Sequence, residues 1–206
     1  MQFRLTYDGE LYSSQPDDTG YKGDRRANHK HEIRRKFHPQ LKRLWEITPF
    51  LRNGAGSGPG ILMDDSGDMP DYSISALSHA HSHYGWNFVP LVTRQLKLIC
   101  GLDILFLRPD FPGEVVSGDV DNRLKTLFDA LQIPDAGQKY SDRSQNDDDK
   151  PFFCLLENDA LITKISVETD QLLQAVDGKY KKEAVRLIIT VTIRPYEVHL
   201  GNLPFA

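Results

Sequence analysis

The spacing of apolar and polar positions changes several times along this chain, and each change marks a predicted element. Phe3, Leu5 and Tyr7 alternate with polar neighbours, which predicts a short first strand ahead of a turn-rich stretch over residues 8–23. Over residues 31–45 the period lengthens. Ile33, Phe37, Leu41, Leu44 and Trp45 recur at helical spacing, with Arg34, Arg35, Lys42 and Arg43 at other positions around the axis. Pro39 falls inside this pattern and predicts a kink or a division into two helices, because it lacks a main-chain donor and crowds the preceding turn. Residues 53–84 show little periodicity and carry four glycines between positions 53 and 60, so they read as an inserted loop. Order returns at Phe88. A long strand is expected over 95–107 and a helix over 122–131, with Leu124, Leu127, Phe128 and Leu131 on one face. Residues 132–150 are polar and read as a mobile loop, and 152–156, 161–167 and 184–193 supply three more strands. Strands and a few helices without regular alternation predict an α/β chain of the α+β type. The expected architecture is one domain over 1–206, a mixed β-sheet with helices packed on it.

Composition narrows the class. A chain of 206 residues with 39% hydrophobic and 26% charged positions can bury one sizeable core. Its longest apolar runs, 102–107 and 187–193, are too short to span a bilayer, and residues 1–7 lack the apolar stretch of a secretory leader. The expectation is a cytoplasmic protein with no membrane partner. Cys100 and Cys154 lie inside apolar, strand-like runs and read as reduced packing residues. The net charge of −4 hides an uneven distribution. Residues 22–43 hold Lys22, Arg25, Arg26, Lys30, Arg34, Arg35, Lys36, Lys42 and Arg43 against Asp24 and Glu32, whereas 135–149 are rich in aspartate, ending in Asp147, Asp148 and Asp149. The basic helix is the natural place for backbone phosphates, with Lys30, Arg34, Arg35, Lys42 and Arg43 as candidate DNA contacts and a solvated charged face as the plain alternative. Tyr21, His38 and Trp45 are candidates for stacking on bases, with Trp45 better suited to anchoring the helix in the core. His79, His81 and His83 alternate, as a zinc site on a strand would require, but read better as surface histidines because no nearby Cys or carboxylate completes a ligand set.

The chemistry concentrates in Gly118-Asp119-Val120-Asp121-Asn122-Arg123-Leu124-Lys125-Thr126-Leu127-Phe128-Asp129-Ala130-Leu131. If the chain enters the helix extended, residues two apart point the same way, so Asp119 and Asp121 can present two carboxylates to one point. Magnesium prefers such oxygen ligands and keeps several waters. Lys125 follows Asp121 by one helical turn and Asp129 follows by another, and a lysine beside a phosphate can stabilise charge that develops during its displacement. On spacing alone the same residues also fit an N-cap at Asp121 followed by solvated ion pairs.

This block resembles the signature of the RusA-like Holliday junction resolvases, in which an Asp-x-Asp-Asn pair precedes a Lys one turn later and then Phe-Asp-Ala-Leu. The resemblance covers about residues 95–195, and a final amphipathic strand over 186–194 matches the one that closes the family's fold. It implies that Asp119, Asp121, Lys125 and Asp159 form a catalytic centre. Asp119, Asp121 and Asp159 would bind Mg2+, with Mn2+ as a substitute. The third ligand falls in Glu157-Asn158-Asp159-Ala160, where Glu157 is the alternative to Asp159. The implied activity is a magnesium-dependent endonuclease that acts as a homodimer on four-way junctions or other branched DNA. A noncatalytic binder of branched DNA with the same fold is the alternative.

Overall fold

The computed structural model describes residues 1–13, 22–53, 72–83, 85–109, 120–134, 150–176, 178 and 181–206. The order is β1 (Gln2–Glu10), α1 (Lys22–Ile47), α2 (Pro49–Arg52), α3 (Ile74–Ala80), β2 (Ser82–His83), β3 (Trp86–Val92), β4 (Leu98–Arg108), α4 (Val120–Leu131), β5 (Phe152–Leu156), β6 (Ile162–Gln171) and β7 (Ala184–Pro195). Single 3₁₀ segments precede β6 (Asp159–Leu161) and follow β7 (Leu200–Phe205). The fold is α+β. A four-stranded mixed sheet runs β1-β7-β4-β6, antiparallel except for the parallel pair β4 and β6. A smaller sheet runs β2-β3-β5, with β3 and β5 parallel.

Burial follows the strand periods. Along β4 and β7 every second residue is buried, from Leu98 to Phe106 and from Val185 to Ile193, so one face of the large sheet carries the core. In β5 all five residues are buried, as expected of a parallel strand covered on both sides. Core residues come from β1, α1, β3, β4, α4, β5 and β7 together. Cys100 is buried in this core and Cys154 in a smaller cluster with Trp86, Phe88 and Phe152; both are free, and burial pushes both thiols up to about 12. Among the described residues no helix is long and apolar enough to cross a membrane.

Helix α1 sits in the middle of this arrangement and differs from the sequence expectation. It begins nine residues before position 31 and runs continuously through Pro39, with no division into two helices. Pro39 is exposed, and beside it the Gln40 side chain bonds to main chain of both α1 and β1. Its Nε2 donates to the Lys36 carbonyl at 3.0 Å and to the Thr6 carbonyl at 2.7 Å, while its Oε1 accepts from the Thr6 amide at 2.9 Å. One side chain thus ties α1 to the edge strand β1 and covers part of that edge. On one side Phe37 meets Tyr7 of β1 at 5.8 Å between ring centroids. On another, Ala27, His31, Arg34, His38, Leu41 and Trp45 are all buried, repeating at alternating steps of four and three. His38 stacks on Phe152 at 4.4 Å, and its Nδ1 accepts the Phe153 amide at 2.8 Å.

Other differences have local causes. The strand expected from 95 begins at Leu98, because Thr93 Oγ1 accepts the Leu96 amide at 3.1 Å and Lys97 turns the chain at a φ of 51°. The preceding residues form β3 in the other sheet. The segment expected as loop over 53–84 includes α3, started by Ser73, whose side chain accepts the Ala76 amide. Residues 54–71 and 135–149 of the two expected loops lie outside the described residues.

Candidate metal centre and nucleic-acid interface

Helix α4 carries the block singled out by the sequence. Leu127, Ala130 and Leu131 are buried, with Leu124 and Phe128 packed on the core, and this stripe fixes the helix on the molecule. Asp121 lies exposed in its first turn, where the positive end of the helix dipole favours a carboxylate. Its Oδ1 accepts the Asn122 amide at 2.7 Å. Lys125, one turn on, is also exposed and forms no ion pair among the described residues.

Asp129 continues the spacing but has another partner. Each step of four residues overshoots a full turn by about 40°, so two steps rotate the row by about 80° and carry Asp129 towards α1. There its carboxylate meets Lys30 at 2.5 Å, with side chains only 18% and 16% exposed. Arg34, itself 2% exposed, donates from Nε to the Gln132 carbonyl at 2.8 Å and from Nη2 to the Asp129 carbonyl. These carbonyls end α4, where no further turn supplies donors and a cation is favoured.

The basic helix is therefore corrected in part. Arg34 is buried under α4 and Lys30 is engaged by Asp129, so neither presents a cation for DNA phosphates in this conformation. Arg35 is half-buried, its Nε donating to His31 Nε2 at 3.4 Å. Lys42 is half-buried and Arg43 exposed beside Glu46 at 3.2 Å. Lys36, absent from the expected contact set, is exposed. His38 and Trp45 are buried and cannot stack on a base, while Tyr21 lies outside the described residues. The step pattern through Ala27, His31, Arg34 and His38 was the available signal that Arg34 and His38 point inward.

The third acidic segment sits beside the other end of α4. The Asp159 amide donates to Gln132 Oε1 at 2.8 Å, and Asn158 caps the short 3₁₀ segment by accepting the Ala160 amide at 2.9 Å. Capping is a direct reason for an amide at 158. Glu157 Oε2 accepts the Arg94 amide at 2.8 Å, whereas Asp159 is exposed. Gln132 follows Asp121 by eleven helical steps, about 16 Å along the axis. Asp121 and Asp159 thus mark opposite ends of α4. Asp119 lies outside the described residues, and among those described no group of three or more His, Cys, Asp or Glu is placed to hold a metal ion. Donor type still suits magnesium, which binds through one or two carboxylates and completes its shell with water and phosphate oxygen. His79 closes the last turn of α3, His81 caps its end and His83 follows in β2, so the three do not alternate along one strand.

No protein-family model matches the chain, and no curated protein or solved structure matches it.

Proposed function

We propose that this chain is a magnesium-dependent endonuclease of branched DNA, resembling the RusA-like resolvases, with α4 presenting its reactive groups. The observation that carries the reading is the division of labour along one helix. Asp121 and Lys125 stand exposed one turn apart, while Asp129 is taken into the packing against α1. In this reading Asp119 and Asp121 would hold Mg2+ from the start of α4, whereas Asp159, at the other end of that helix, does not reach the same ion in this conformation. Held there, Mg2+ would supply an activated water and offset negative charge on the phosphate. Lys125 donates to a non-bridging or leaving oxygen and stabilises charge that grows as the phosphodiester is displaced in line. The Lys30–Asp129 pair and the Arg34 bonds hold α4 against α1, so Asp121 and Lys125 ride on a fixed element. Exposed Arg43 and half-buried Arg35 and Lys42 are the members of the basic set that reach the surface to meet DNA backbone, and two copies of the chain would match the two opposed strands of a junction.

The test is a panel of end-labelled four-way junction, flap, nicked duplex, plain duplex and single-stranded DNA, incubated with Mg2+ or Mn2+. Paired incisions in the junction or another branched form support the reading. Binding of branched DNA without cleavage under either cation would replace it with a noncatalytic binder.

A further inference from the structure

We propose that the cleft between the end of β1 and the first half of α1 binds an unstacked guanine nucleotide. The cleft is open to solvent and has a volume of about 540 Å3, inside the roughly 300–1,000 Å3 range of small-ligand sites. Its α1 wall is built by Asn28, Glu32 and Lys36, successive residues four apart that drift about 40° round the axis at each step. Residues bearing an amide, a carboxylate and an ammonium therefore follow one another with Cβ atoms about 6 Å apart.

The opposite wall has its charges already matched. Arg186 donates to both oxygens of Asp8, at 2.7 and 3.3 Å, and Glu10 is bound by Lys181 and by the Tyr12 hydroxyl. Glu32 differs. Its side chain is 76% exposed, and among the described residues its ion-pair partner is His29, 3.9 Å away and beyond hydrogen-bond reach. His29 Nε2 accepts the Tyr12 amide at 3.3 Å, which leaves the ring proton on Nδ1. Burial disfavours charging this ring, against a weaker opposite pull from Glu10. Among the described residues the cleft thus offers a carboxylate and an ammonium with no hydrogen-bonded ion pair, and the ring of Tyr12, which is 43% exposed and stands edge-on to His29 at 4.7 Å.

These groups select among bases by their hydrogen-bonding edges. Guanine presents two adjacent donors, N1–H and the N2 amino group, which match the two oxygens of Glu32. Adenine and cytosine place an acceptor beside their amino group, and thymine flanks its single N–H with carbonyls, so each sets an acceptor against a carboxylate oxygen. Asn28 lies one turn back, on the side where guanine O6 falls, and Lys36 lies one turn forward, on the side of the phosphate. Tyr12 supplies the stacking surface. The inference deepens the nuclease reading by giving the enzyme a base preference, and it rests on that reading only for DNA as the source of the guanine.

The experiment is calorimetric titration of the full chain with dGMP, dAMP, dCMP and dTMP in EDTA, so that no cation-dependent step is read. The expected result is binding of dGMP at least tenfold tighter than the other three. In Glu32→Gln that preference should fall below threefold, and Lys36→Ala should weaken all four nucleotides alike. Both residues are exposed, and a thermal melt confirms that each variant folds. Equal affinities, a preference that survives in Glu32→Gln, or no binding of any nucleotide overturns the proposal. The nuclease reading survives each of those results, because cleavage is scored separately. A thymidine oligomer with one central guanine then distinguishes the source. Tighter binding than to the plain oligomer supports a DNA base, and equal binding overturns DNA as the source.

Discussion

Replacing Arg34 with methionine keeps the length and apolar stem of the side chain and removes the donors that end α4. The Gln132 carbonyl loses a 2.8 Å bond from Nε and the Asp129 carbonyl loses its bond from Nη2, in a site where the arginine is 2% exposed. Hydrogen bonds from a charged donor contribute about 1.5–3 kcal/mol each, and the guanidinium no longer has to be held out of water, which returns part of that. A net loss of about 3 kcal/mol is expected, or roughly 6–12 °C in Tm for a chain of this size. Urea unfolding should show a midpoint lowered by roughly 1 M or more at unchanged slope. Arg34→Lys should recover less than half, because one ammonium does not reproduce the planar fork that bridges two carbonyls. DNA affinity, measured well below the lowered Tm, should keep its salt dependence, since a buried arginine releases no counterions. A midpoint shift worth less than about 0.5 kcal/mol, within the range of an ordinary surface change, would refute the capping role. A flatter salt dependence would restore Arg34 to the DNA surface.

Two further outcomes follow from the cleft. His29 has its pKa lowered from 6.5 mainly by burial, so below that pH the unfolded chain takes up a proton that the folded chain resists. The stability contributed by neutral His29, beside Glu10, Glu32 and Tyr12, is therefore complete above pH 6.5 and falls as the pH drops towards the depressed value; His29→Gln should flatten that slope in a series of melts, and an unchanged slope would contradict the assignment. Gly9→Ala would set a Cβ 2.6 Å from the hydroxyl of Tyr7, which is 5% exposed and donates to the Glu10 carbonyl at 2.6 Å. A loss of about 1–3 kcal/mol is expected, partly relieved by Tyr7→Phe, and an unaltered Tm would show that the ring moves freely.

The strands were legible where their period was two or their apolar run unbroken, as in β1, β4, β5 and β7, because burial on a sheet repeats with the pleat. Helix α4 was legible from its leucine stripe. Helix α1 was harder, because its inward steps include His31, Arg34 and His38, whose partners are rings and carbonyls distant in sequence. A count of basic residues assigns them all to the surface, and only the alternation of four and three separates Arg34 from Arg43. The exposed pair Asp121 and Lys125 was legible because it lies within one helical turn. The placement of Asp159 depends on where Gln132 and β5 carry the returning chain, which local spacing does not encode. The cleft was hidden for the same reason. Asn28, Glu32 and Lys36 look like an ordinary polar face until β1 is seen opposite them.

The central claim is that Asp121 and Lys125 perform phosphodiester chemistry, and single-turnover cleavage of a labelled four-way junction in Mg2+ tests it most directly. Asp121→Asn keeps the shape and removes a negative ligand, so cleavage should fall at least a hundredfold, while junction affinity in EDTA stays equal or rises because less negative charge meets the phosphates. Lys125→Ala should also lose cleavage, since charge developing on the phosphate is no longer stabilised. Cleavage by Asp121→Asn at the rate of the unaltered protein would contradict the account.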